Sequence, residues 1–86
     1  MSTRSITARL AADANRAHAD LIAAYKETVA IEARDGAVNC ETLCRSNNRA
    51  FTAASAAAHL PSGSACMATV QKVSKLLEGW GFAFTR

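Results

Sequence analysis

Three cysteines and one histidine are spaced so that together they match four potential zinc ligands. Three residues lie between Cys40 and Cys44, fourteen between Cys44 and His59, and six between His59 and Cys66. Structural zinc usually takes cysteine pairs from a tight loop, whereas the first pair here falls on a predicted helix. We therefore interpret the three cysteines as small buried hydrophobic residues with free thiols and predict no metal site and no cofactor.

Catalysis by a histidine or a cysteine would require an activating partner beside it. His18 flanks the apolar side of the first predicted helix, and His59 lies near the end of a later one. The sequence shows neither a third group to orient these rings nor an oxyanion loop. The pair Gly79 and Gly81 lacks the third glycine and the following helix of a phosphate-binding loop. We predict that the protein is not an enzyme.

The composition indicates a small helical protein. The 86 residues suffice for one domain with a modest core. Half of them are hydrophobic, but twenty of these are alanine, which favours helices and buries little area. One proline and four glycines are also typical of an all-helical chain. We predict an all-α fold, a bundle of three to four helices that forms a single domain over residues 1–86.

A long first helix is predicted over about residues 4–34. Apolar residues recur there at helical spacing: Ile6, Leu10, Ala14, Ala17, Leu21, Ala24 and Ile31. Gly36 suits the left-handed position that follows a helix. Because the middle of this stripe is rich in alanine, another helix can approach it closely. We favour a packing seam within the chain, with a homodimer through the first helix as the alternative.

The segment from residue 40 to residue 59 leaves two alternatives open. Asn39 is a good N-cap for a helix that begins at Cys40. However, Ser46-Asn47-Asn48 competes with the backbone for hydrogen bonds. Either one bent helix spans residues 40–59, or a short helix ends near Ser46 and another begins after Thr52.

A final helix is predicted to begin at the cap residue Ser64 and to end near Glu78, after a turn at Leu60-Pro61-Ser62-Gly63. One arc of this helix is apolar and should face the core: Cys66, Val70, Val73, Leu77 and Trp80. The opposite arc is polar or small: Ser64, Ala68, Gln71, Lys72 and Lys75. Residues 79–86 are predicted to form a short extended tail. Its aromatic side chains Trp80, Phe82 and Phe84 either cap the core or form an exposed patch for a partner, and we favour the core cap.

The positive charge is concentrated in the second half of the chain. Residues 1–44 carry five basic and six acidic side chains, whereas residues 45–86 carry five basic and one acidic. The five basic residues are Arg45, Arg49, Lys72, Lys75 and Arg86. Such a segment favours a phosphate-bearing partner, although an ordinary solubilising surface has a similar charge. Since we find neither a signal peptide nor an apolar run of membrane-spanning length, we predict a cytoplasmic protein without membrane contact.

The last part of the chain combines a small-residue helix (residues 52–60), a turn and an amphipathic helix that ends in Leu76-Leu77-Glu78-Gly79-Trp80-Gly81-Phe82. In this order of elements, residues 52–86 resemble the winged helix-turn-helix domain of bacterial repressors, with the helix-turn-helix over about 52–79. The resemblance implies that Arg86 begins a wing. It also implies base-facing positions for a set of residues: Ser64, Ala65, Ala68, Gln71 and Lys72.

Two functions follow as hypotheses. The first is a small DNA-binding transcriptional regulator that reads the major groove with the helix at residues 64–78. Gln71 would pair with adenine, Lys72 and Lys75 would reach guanine or phosphate, and the arginines Arg45, Arg49 and Arg86 would hold phosphates. The second is a non-enzymatic inhibitor or adaptor that contacts a host protein or nucleoprotein complex. The small proteins that phages use against CRISPR or restriction systems are of this kind, and the missing wing hairpin favours it.

Overall fold

The computed structural model describes residues 3–36 and 40–80, which form three α-helices. These helices are α1 (Thr3–Asp35), α2 (Glu41–Ala56) and α3 (Pro61–Gly79). The described ranges contain no strand, so the predicted all-α class is confirmed for them.

Three of the predicted features lie outside the described residues. They are the N-cap at Asn39, the part of the predicted extended tail from residue 81 onward and the wing that would begin at Arg86. The first two residues of that predicted tail are not extended, because Gly79 ends α3 and Trp80 lies in a turn.

The helix α1 spans the long axis of the molecule. Its 33 residues give a length of about 50 Å, which matches the longest principal extent of 50 Å. Gly36 follows with a φ of 72°, and its N–H donates to the carbonyl of Glu32 at an N···O distance of 2.8 Å. Because glycine adopts this left-handed geometry without steric cost, the predicted stop at Gly36 is confirmed.

The middle of the apolar stripe of α1 packs inside the chain. Ala14, Ala17 and Leu21 are buried, and the last two belong to a core shared with α2 and α3. Thr28 is also buried. Its hydroxyl donates a hydrogen bond to the carbonyl of Ala24 at 2.8 Å, so this donor is satisfied within α1. The alanine-rich stretch therefore forms the predicted seam within the chain.

The helix α2 continues without a break through Ser46-Asn47-Asn48. Asn47 lies on the buried face of α2, and its side-chain amide donates to the hydroxyl of Ser74 on α3 at 3.0 Å. Because this hydrogen bond leads to the neighbouring helix, the amide does not compete with the backbone of α2. The alternative with two short helices is therefore wrong, and the single helix ends at Ala56.

The turn between α2 and α3 lies at residues 57–60, before Pro61 rather than around it. Leu60 is extended, with φ −113° and ψ 150°, because a following proline disfavours helical geometry. Pro61 occupies the first turn of α3, where its missing N–H would have no helical partner in any case. The predicted turn at Leu60–Gly63 and the predicted cap at Ser64 are therefore wrong. The N–H of Ser64 already donates to the carbonyl of Leu60 at 3.1 Å.

Gly63 brings α3 into close contact with the end of α2. It is buried, and a Cβ at this position would overlap the carbonyl group of Ala57 and press on its side chain. The same carbonyl accepts a hydrogen bond from the N–H of Leu60 at 2.8 Å, so it cannot shift without opening the turn. The short distance between the helices therefore requires glycine at position 63.

The helices α2 and α3 run antiparallel, side by side, away from this contact. The thiol of Cys66 lies 3.5 Å from the carbonyl oxygen of Ala50, and Asn47 reaches Ser74 farther along. Because these contacts follow in order along both helices, the register set at Gly63 extends over most of the hairpin.

The core lies between the three helices and is built largely from small side chains. Its buried members are Ala17, Leu21, Cys40, Leu43, Ala50, Ala54, Cys66, Val70, Val73 and Leu77. Trp80 is partly buried and packs against them. The predicted inward arc of the final helix is thus confirmed.

We expect Gly63→Ala to lower the free energy of unfolding by about 2 kcal/mol or more, because overpacking a tight contact costs roughly 1–3 kcal/mol. Gly79→Ala is the matched control, since a Cβ there meets open space. The control should be neutral or stabilise by up to about 1 kcal/mol through helix propensity. Urea denaturation followed by circular dichroism measures both variants, and equal stability would contradict the close contact.

Candidate functional site

The outward side of α3 displays the polar arc that the sequence indicates. Its residues are all exposed: Ser64, Ala68, Gln71, Lys72 and Lys75. Within the described ranges, no carboxylate pairs with Lys72 or Lys75. Both ammonium groups are therefore open to a partner. We call these five residues the α3 face.

Arg45 and Arg49 lie on a different side of the molecule. Phe51 marks the side of α2 that borders α3, because it lines a groove with α3 residues such as Met67. At about 100° per residue, Arg49 lies roughly 160° around α2 from Phe51, and Arg45 lies roughly 120° away. Both arginines are exposed but do not share a surface with the α3 face.

An ion pair further separates the first arginine from the predicted site. The guanidinium of Arg45 lies 3.3 Å from the carboxylate of Glu41, one helical turn earlier. The predicted set therefore divides into the α3 face, the two arginines on the far side of α2, and Arg86, which is outside the described residues.

A groove between α2 and α3 borders the α3 face on one side. Phe51 stands in it with 52 % of its surface exposed, opposite Met67 and Val70 of α3. Gln71 and Lys75 also line this groove, so an aromatic ring lies next to polar and charged groups. We call it the α2–α3 groove.

A second groove, between α1 and α3, borders the α3 face on the other side. Its lining residues are Ile22, Tyr25, Lys26, Thr69, Lys72, Val73 and Leu76. The ring Nε2 of His18 lies 2.7 Å from the hydroxyl of Thr69, which ties α1 to α3 beside the groove. We call it the α1–α3 groove.

The exposed apolar side chains of these grooves were not among the site residues predicted from the sequence. The exposed fractions of the surfaces of Ile22 and Tyr25 are 37 % and 39 %. The signal was present, because Ile22 lies about 100° around α1 from the buried Leu21. A large apolar residue at the border of a buried stripe marks the edge of a contact surface.

Comparison of the chain with protein-family models, curated proteins and solved structures finds no match. Within residues 3–36 and 40–80, no helix combines the length and the apolar character needed to cross a bilayer.

The three cysteines contribute to the packing of the core. All are free thiols, and Cys40 and Cys66 are buried. Burial raises the pKa of Cys40, Cys44 and Cys66, and the neighbouring Cys44 raises the pKa of Cys40 further. Protonated thiols are weak nucleophiles and weak metal ligands. The described residues contain no group of three or more histidine, cysteine or acidic side chains placed to hold a metal.

We expect these thiols to make stability depend on alkaline pH. Their pKa values are higher in the folded chain than in the unfolded chain, where the pKa of a thiol is about 8.5. Their contribution to stability is therefore complete below that pH and is lost as the pH rises through the folded-state pKa. Urea denaturation in reductant should show a falling free energy of unfolding above about pH 8.5.

Cys66→Ala is the control for this alkaline loss, because it removes one buried thiol. Its free energy of unfolding should fall less steeply over the same pH range. Identical slopes in the two proteins would mean that the thiol is not responsible.

Proposed function

We propose that this chain is a non-enzymatic binding protein, an inhibitor or adaptor, that docks on a protein partner through the α3 face and its two flanking grooves. One observation carries the proposal: large apolar side chains stand exposed on both sides of α3. They are Phe51 in the α2–α3 groove and Ile22 with Tyr25 in the α1–α3 groove. Single exposed apolar residues are common, but three that border one helix offer a partner apolar anchors on both sides of its polar face.

The charges of this surface favour an acidic partner. Lys72 and Lys75 lie on the α3 face, and Lys26 lies across the α1–α3 groove. Among the residues lining the two grooves, Glu78 is the single acid. Complementary charge speeds encounter and rejects partners of the wrong sign, so the lysines support selection of an acidic surface.

A DNA-binding transcriptional regulator is the second candidate. It is favoured by three outward-facing polar residues of α3: Gln71, Lys72 and Lys75. From its start at Pro61 up to Lys75, α3 contains no acidic residue. A major groove about 12 Å wide admits a helix. The small side chain of Ala68 would let the backbone of α3 approach the bases.

The position of two predicted phosphate contacts ranks this candidate second. Arg45 and Arg49 lie far around α2 from Phe51, which borders α3, so they would not reach the phosphates beside a duplex bound at the α3 face.

Site-specific photo-crosslinking tests the docking proposal. We expect p-benzoylphenylalanine at Ala68, on the α3 face, to give a discrete crosslink to a protein in the cell that naturally produces the chain. The same probe at Ala56, an exposed alanine about 140° around α2 from Phe51, is the matched control and should give none. Equal crosslinking from both positions, or crosslinking from Ala56 alone, would contradict a contact surface centred on α3.

A gel shift with two double variants tests the DNA candidate. If α3 reads DNA, Lys72→Gln with Lys75→Gln should weaken binding to duplex DNA. It should also reduce the salt slope of log K by about 1.8, because two phosphate contacts are lost. Arg45→Gln with Arg49→Gln removes the same charge and should leave affinity unchanged. Gln71→Ala should abolish preference for one site over random duplex.

The DNA candidate fails if the unmodified chain does not shift random duplex at low salt. It also fails if the lysine and arginine pairs weaken binding equally, because binding would then follow net charge rather than the α3 face.

A further inference from the structure

The α1–α3 groove has an apolar centre between two lysines. Val73 is buried at its base, and Leu76 is partly exposed beside it. Lys26 belongs to α1 and Lys72 to α3, so the two cations stand on opposite walls. The lining contains no carboxylate, and neither lysine has an ion-pair partner among the described residues.

The shape of the groove suits a helix. His18 pairs with Thr69, and Tyr25 lines the groove together with Leu76, so α1 and α3 advance in the same direction along it. The lining residues of α3 cover about two helical turns, or roughly 10 Å. A third helix can lie between two such neighbours with its side-chain ridges in their furrow. It would be held by apolar side chains spaced three or four residues apart.

The groove geometry and its charge point to one occupant. We propose that the α1–α3 groove binds an amphipathic helix of the partner whose apolar stripe is flanked by Asp or Glu. The apolar stripe would cover Ile22, Tyr25 and Leu76, and carboxylates on both sides of it would meet Lys26 and Lys72. This inference rests on the proposed docking function and specifies the chemistry of the partner.

Titration of the full chain with two synthetic helices tests this proposal. The first is a peptide of roughly 14 residues with leucines at the anchor spacing of a docked helix and glutamates beside them. The second is identical except that lysine replaces each glutamate. Changes in ¹H–¹⁵N correlation spectra should concentrate at Ile22, Tyr25 and Leu76 with the acidic peptide. The basic peptide should bind at least about tenfold more weakly, because two attractive charge pairs become repulsive.

Variants of the chain identify the groove as the binding site. Ile22→Ser should weaken binding of the acidic peptide roughly tenfold by removing an apolar anchor. Ile6→Ser is the matched control at another exposed isoleucine, outside the groove, and should bind like the unmodified chain. Lys26→Glu should lower the affinity of the chain for the acidic peptide and raise its affinity for the basic peptide. The substitution leaves the residues of the α3 face unchanged.

Three results would overturn the proposal: equal affinity for the two peptides, spectral changes centred on Phe51, or a concentration-dependent dimer that Ile22→Ser abolishes. The last would make a second copy of the chain the occupant. If a protein crosslink from Ala68 persists in the Lys26→Glu and Ile22→Ser variants, the acidic-helix inference is wrong but the docking function is still supported. If the chain with the probe at Ala68 and no other substitution gives no crosslink, the docking function itself is contradicted.

Discussion

The contact between Gly63 and the carbonyl group of Ala57 fixes how α3 is placed on the rest of the molecule. A side chain at position 63 would collide with a carbonyl that also closes the turn through the N–H of Leu60. The contact therefore sets the register of α2 against α3. The hydrogen bond from the Asn47 side chain to the Ser74 hydroxyl is consistent with the same register farther along the helices. Once the register is set, the direction in which each residue of α3 points is determined.

The small side chains of the core explain why the surface carries large apolar groups. Alanine supplies many of the buried positions, which lets the three helices lie close together but leaves little room between them. Bulky residues at the borders of the buried stripes, such as Tyr25 and Phe51, therefore stay partly exposed in the furrows beside α3. In a chain with so modest a core, burying these groups against a partner would also add stability.

The sequence predicts which side chains of one helix point inward or outward. It does not predict which residues of two different helices lie side by side. The inward and outward arcs of the final helix follow from its own period, so the burial of Cys66 and the exposure of Lys75 were predictable. Whether Arg49 lies beside that outward arc depends on which side of α2 packs against α3. The local sequence pattern does not indicate that side. Pro61 was misread because proline marks both the end of one helix and the first turn of the next. The alternative of a break at Ser46-Asn47-Asn48 is wrong because the Asn47 amide donates to a hydroxyl on another helix.

The proposed docking surface, made of the α3 face and its flanking grooves, has a footprint that can be measured directly. The measurement is solvent paramagnetic relaxation of the amide signals, recorded for the free chain and for its complex with the protein that crosslinks at Ala68. We expect Ala68, Gln71 and Lys75 to relax strongly in the free chain and to be protected in the complex. Protection centred on Arg45 and Arg49, with the α3 face still open to solvent, would contradict it.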